Sequence, residues 1–180
     1  MKQEILQEIE IPEGIHAEIE RNAIAIKGKL GENKKGFKFK GVKFEKSGNK
    51  IIIEKKNASK NEKRMINTAV AHIKNMIRGV SEGFEYKLKI AHSHFPMTVE
   101  IHGKEILVKN FLGEKIPRKT KILQGVDVKI DKDFITVKSH DKELAGQTAA
   151  NLEKATRITM RDRRVFQDGI FLTNKAGKEI

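Results

Sequence analysis

Residues 18–32, EIERNAIAIKGKLGE, can be laid over residues 100–114, EIHGKEILVKNFLGE, at an offset of 82 positions. Seven of the fifteen pairs are then identical: Glu18/Glu100, Ile19/Ile101, Ile24/Ile106, Lys27/Lys109, Leu30/Leu112, Gly31/Gly113 and Glu32/Glu114. Each copy follows a proline, Pro12 or Pro96, and each precedes a basic stretch, a further β-rich run and an amphipathic helical pattern. Two long repeats do not make a solenoid, which needs several short ones. They predict an α+β fold of two tandem, internally duplicated small domains, each an antiparallel β-sheet packed against one main α-helix. The boundary falls at Ser81-Glu82-Gly83, giving domains 1–82 and 83–180, the second with a basic C-terminal segment.

Within both copies the apolar residues alternate with period two. Ile15, Ala17 and Ile19 face one way, as do Ile24 and Ile26 after a turn at Arg21-Asn22. Val99 and Ile101, then Ile106 and Val108, repeat this around His102-Gly103-Lys104, the pattern of hairpins with one buried face. Gly31 and Gly113 are expected in turns, and Leu30 and Leu112 in packing. Ser59-Lys60-Asn61-Glu62 is a capping box. It opens a helix with Ile66, Ala69, Val70, Ile73 and Ile77 on one face and Gly79 as its stop. A second helix starts at Asp141 and carries Leu144, Ala145, Thr148, Ala149 and Leu152 on one face. The strand Phe84–Ile90 opens the second domain.

The 180 residues contain no cysteine, which excludes disulfides, thiolate metal sites and cysteine nucleophiles and fits a reducing compartment. No apolar stretch is long enough to span a membrane, and the acidic start MKQEILQEIEIPEG is not a secretory signal. The formal charge is +13, unevenly spread. Residues 1–26 hold two basic and six acidic side chains, residues 27–60 twelve basic and three acidic. Such a surface attracts polyanions, because phosphate contacts release counterions. Lysine used only for solubility is the plainer alternative.

Near the C-terminus stands MRDRRVFQDGIF, residues 160–171, with three arginines in four positions. Val165, Phe166, Ile170 and Phe171 anchor it, and Asp162 caps a short helix over 163–167 that Gly169 stops. Arg157, Arg161, Arg163 and Arg164 then project, with forks suited to phosphate. A solvated helix end is the alternative. Gly28-Lys29-Leu30-Gly31 matches the GxxG of an RNA-clamping loop, but follows a strand rather than joining helices. His92-Ser93-His94 puts two imidazoles on one strand face without a third metal ligand. Asp162 and Asp168 are too differently flanked for a nuclease pair, and no nucleophile–base motif occurs, so the chain does not read as an enzyme.

The runs HFPMTVEI, KNFLGEKIPR and RDRRVFQDGIFL, in this order, resemble the universal large-subunit ribosomal protein number six, in its archaeal and eukaryotic branch. His94-Phe95-Pro96, Asn110–Lys115 and Asp168-Gly169-Ile170 carry most of the likeness, which covers essentially the whole chain. The resemblance implies two similar α/β domains, no catalysis, no cofactor and no metal. It implies a structural constituent of the cytoplasmic large ribosomal subunit, supporting translation. It implies binding to large-subunit ribosomal RNA near the base of the factor-binding stalk and the sarcin–ricin loop, with neighbouring ribosomal proteins there as further contacts and neither membrane nor small-molecule substrate. Carried onto this sequence, it favours His92, His94, Lys109, Lys115, Arg118, Arg161, Arg163 and Arg164, with Arg157 from the same patch, as RNA-facing. The basic stretch Lys34–Lys46 is a weaker candidate. The sequence leaves open whether Thr173–Ile180 is ordered before assembly; its glycine, lysines and position are compatible with a loose tail in isolation. A free-standing RNA-binding module and an RNA-processing enzyme are the rival readings.

Overall fold

The computed structural model describes residues 3–20, 23–37 and 41–180. The turn at Arg21-Asn22 and positions 38–40 of the basic stretch lie outside them. The chain divides into two compact units, Met1–Gly83 and Phe84–Ile180. No helix among the described residues is long and apolar enough to cross a membrane.

The first unit contains β1 (Gln3–Glu10), β2 (His16–Glu20), β3 (Ala23–Gly28), β4 (Gly31–Gly36), β5 (Lys43–Ser47), β6 (Lys50–Ala58) and α1 (Lys60–Ser81). Its strands form two antiparallel sheets, in the orders β1-β6-β5 and β2-β3-β4. The second unit contains β7 (Phe84–Ala91), β8 (Thr98–His102), β9 (Glu105–Lys109), β10 (Arg118–Lys121), β11 (Val126–Asp131), β12 (Phe134–Ser139), α2 (Lys142–Ala155), β13 (Gly169–Lys175) and β14 (Lys178–Glu179). Its sheets run β10-β9-β8 and β11-β12-β7-β13-β14. Replacing β1 to β6 by β7 to β12 converts one set of pairings into the other, so the duplication extends to topology. Each copy has two sheets around its helix rather than the single sheet expected. In both, the helix packs against strands of both sheets.

The capping box forms as expected. Ser59 Oγ accepts the Glu62 N–H at 3.3 Å, and the Glu62 carboxylate accepts the Ser59 N–H at 2.7 Å. Ile66, Ala69, Val70, Ile73 and Ile77 are buried on α1, where full burial of an isoleucine contributes about 1.5–3 kcal/mol. They meet Ile5, Ile9, Ile24, Ile26, Ile51 and Ile53 from both sheets. The stop is not Gly79, which lies buried inside the helix. It is Gly83, whose φ of 77° lets its N–H return to the carbonyls of Gly79 and Arg78. The helix therefore runs one turn further than the glycine pattern suggested.

That extra turn explains a glycine. A Cβ on Gly28 would lie 2.7 Å from Val80 Cγ2 and 2.9 Å from the Val80 carbonyl oxygen. The same oxygen accepts the Leu30 N–H at 3.1 Å, joining the β3–β4 turn to the helix end. Leu30 itself is 51% exposed, so its expected packing role falls to Leu112 alone, which lies against the second core. The GxxG match thus answers to close packing.

In the second unit α2 has 14 residues where α1 has 22. Asp141 caps it by accepting the Glu143 N–H at 2.8 Å, and Ala145, Thr148, Ala149 and Leu152 are buried. No helix end presses on Asn110, the counterpart of Gly28; its amide donates to the Pro96 carbonyl at 2.9 Å. The chain beyond α2 crosses as an irregular segment and returns as β13 against β7. The stretch left open as a loose tail is the end of this sheet: Thr173 Oγ1 donates to the Lys87 carbonyl, and Asn174 and Lys175 pair with β14. β13 covers an edge of β7 that would otherwise present unpaired backbone groups.

Gly28→Ala is expected to destabilise the protein by about 1–3 kcal/mol, since the crowding atoms include backbone. Urea unfolding checks this. Adding Val80→Ala should recover only part of the loss, because the carbonyl oxygen remains.

Candidate nucleic-acid interface

The candidate site occupies the irregular segment that stands where α1 has its last turns. Its anchor is Asp168, which is 2% exposed. The carboxylate accepts the backbone N–H of Ser93 at 2.6 Å and of His94 at 3.0 Å, the Ser93 hydroxyl at 3.3 Å and the His94 ring at 2.6 Å. Burial pushes the Asp168 carboxyl up, but the His94 and Ser93 amides and the His94 ring outweigh it and hold it at about 2. A carboxylate accepts only, so His94 Nδ1 carries the donated proton. His92 and His94 are therefore not neighbours on a strand face: β7 ends at Ala91 and both lie in the loop that follows.

From this anchor the aromatic and basic groups build outward. The His94 ring stacks on Phe166 with centroids 4.7 Å apart, and the Arg161 guanidinium lies 4.8 Å from the centre of the Phe166 ring. Stacking fixes guanidinium orientation without consuming its charge. Arg157, Arg163 and Lys115 are exposed, and His92 is exposed beside the loop. Asp162 caps no helix: Arg163–Val165 form a single turn, closed by the Phe166 N–H on the Asp162 carbonyl at 2.9 Å. The Asp162 carboxylate accepts the Arg164 N–H and pairs with its guanidinium at 2.8 Å, so Arg164 projects with its charge partly balanced. Gly169 is no helix stop either; it is the first residue of β13.

Two of the expected RNA-facing residues already hold carboxylates. The Arg118 fork binds both oxygens of Glu114 at 2.6 and 2.8 Å. It also donates to the carbonyls of Ala155 and Arg157 at 3.0 and 3.2 Å and lies 4.2 Å over Phe111. This guanidinium closes the C-terminus of α2, where cations are favoured, and holds the Glu114 carboxyl below its ordinary value. Its side chain is half-buried among these partners. Lys109 binds Glu100 at 2.6 Å, as Lys27 faces Glu18 at 3.8 Å in the first unit. These four residues are among the identities between the copies, so the shared feature is a cross-strand ion pair. Sequence alone did not reveal this pairing. It also missed the anchoring role of Asp168, because Ser93 and His94 lie 75 and 74 positions away.

Comparison with known proteins gives a consistent result. The profile of the family described as ribosomal protein L6 matches twice, over residues 11–83 and 95–169. A protein of Methanococcus vannielii, "Large ribosomal subunit protein uL6", is 44% identical over 174 residues, covering 97% of this chain and 96% of that one. The protein of the same description from Methanobrevibacter smithii is 45% identical over 171 residues, covering 95% and 96%.

Asp168→Asn should place an amide donor against donors and cost about 1–3 kcal/mol at neutral pH. The wild-type carboxyl has a lowered value, so its stabilisation is complete above 3.8 and is lost as pH falls toward about 2. Urea midpoints across that range should fall more steeply for the wild type than for Asp168→Asn; parallel curves would contradict the anchoring role.

Proposed function

The chain belongs to the ribosomal protein L6 family, and from that premise we propose that its second unit docks on large-subunit ribosomal RNA through the segment anchored by Asp168. The chain is a structural component of the large ribosomal subunit, of the archaeal type, and not an enzyme. The docking site lies near the base of the factor-binding stalk and the sarcin–ricin loop of cytoplasmic ribosomes, with ribosomal proteins as neighbours.

The single observation that carries this reading is the set of exposed arginines, Arg157, Arg161 and Arg163, held on a segment whose root is a buried, fully hydrogen-bonded carboxylate. Preordered forks lose less freedom when they close on phosphate oxygens. Arg164, Lys115, His92 and His94 extend the same basic surface. Lys109 and Arg118 support it: one braces the β8–β9 hairpin and the other the end of α2. Such a surface reads the shape and phosphate spacing of folded RNA, since A-form grooves hide base edges.

Replacing Arg161, Arg163 and Arg164 by alanine should weaken binding to a stalk-base ribosomal RNA fragment. It should also flatten the salt dependence by about two to three units, at about 0.7–0.9 per phosphate contact. Binding is measured over a salt series with excess unrelated structured RNA. An unchanged slope in the folded triple variant would refute the assignment, and displacement by any RNA would refute shape-specific docking.

A further inference from the structure

Beside the arginines lies a cavity of about 690 Å³, within the size range of small-ligand pockets. Its wall combines Ala91, Ile158, Ile170 and the ring of Phe171. Phe171 is 45% exposed on β13, which at this position pairs with β7. Phe166 also lines the cavity, but His94 and Arg161 already approach its ring. Lys154, Arg157 and Arg163 supply the positive charge of the lining. The two acidic groups there are engaged with the backbone: Asp168 as described, and Glu153, whose Oε1 accepts the Leu172 N–H at 3.2 Å. The Phe171 ring lies close over Gly169, where an added Cβ would meet it at 3.1 Å, and phosphate binding alone does not require an apolar wall.

We propose that this cavity receives one unpaired nucleobase, splayed out of the bound RNA, with its face on Phe171 and its flanking phosphates on Arg157 and Arg163. Charge complementarity selects the occupant: an apolar floor within a cationic lining fits a flat, uncharged base carried on a polyanionic strand. The inference rests on the RNA-docking reading and deepens it, by adding a base-stacking position to a surface otherwise made of phosphate contacts. It divides the labour chemically. The arginines govern the salt dependence, whereas stacking contributes affinity that salt does not screen.

The test uses the full-length protein with two probes. Phe171→Leu keeps an apolar residue in β13 and removes the ring. It should weaken binding to the stalk-base RNA fragment by about 5- to 150-fold, the range for loss of one base–aromatic stack, with an unchanged salt slope. Adenosine monophosphate at millimolar concentration should shift the methyl resonances of Ala91, Ile158 and Ile170 in the wild type, while ribose 5-phosphate should not. Equal shifts from both compounds, or an unaltered RNA affinity in folded Phe171→Leu, would overturn the base pocket and leave the arginine surface intact. Failure of the wild type to bind the RNA fragment at all would instead overturn the docking reading, which separates the two failures.

Discussion

A single buried carboxylate ties the functional half of this protein together. Asp168 collects two backbone amides, a hydroxyl and an imidazole from the loop after β7. It thereby fixes the point where an irregular segment re-enters the sheet as β13. Removing a charge from water is costly unless every lone pair finds a donor. Here the donors come from positions 93 and 94, so the loop and the returning strand hold each other in place. His94 then stacks on Phe166, and Phe166 orients Arg161. The order of the cationic surface is inherited from the order of the anion beneath it.

The two units show how one design acquired different uses. Their pairings coincide strand for strand through β6 and β12, and the ion pair between the glutamate of one strand and the lysine of the next recurs in both. They diverge at the helix. In the first unit α1 runs to Ser81 and its end presses on Gly28, closing the β3–β4 turn against it. In the second, α2 stops at Ala155, where Arg118 takes its terminal carbonyls. The thirteen residues 156–168 then replace the missing helical turns. That replacement carries Arg157, Arg161, Arg163, Phe166 and Asp168. The proposed interface therefore lies where the repeat is broken.

The dipole at the end of α2 accounts for why the arginines do not all serve alike. Arg118 is drawn to carbonyls at the end of α2 and to a carboxylate, and it is half-buried there. Arg161 and Arg163 are exposed, Arg161 over the Phe166 ring and near enough to Glu114 to help lower its carboxyl. Arginines of the one unit thus separate into braced and exposed according to what lies within reach of the guanidinium.

Sequence by itself determined the duplication, the α+β class, the capping box at Ser59, the apolar faces of both helices and the basic character of residues 157–164. All of these rest on local periodicity or on residue types read within a short window, and local rules act before the chain is packed. Tertiary structure alone decided that Gly83 rather than Gly79 ends α1, that Lys109 and Arg118 turn to carboxylates, that residues 173–175 join a sheet, and that Asp168 is the root of the site. Each depends on an atom brought close by folding from a distant position: Lys87 beneath Thr173, Glu100 beside Lys109, and Ser93 and His94 above Asp168. The helix end is the nearest to a local case, yet its stop had two glycines to choose between. The buried Gly79 continued the helix, and Gly83, free to adopt a positive φ, closed it.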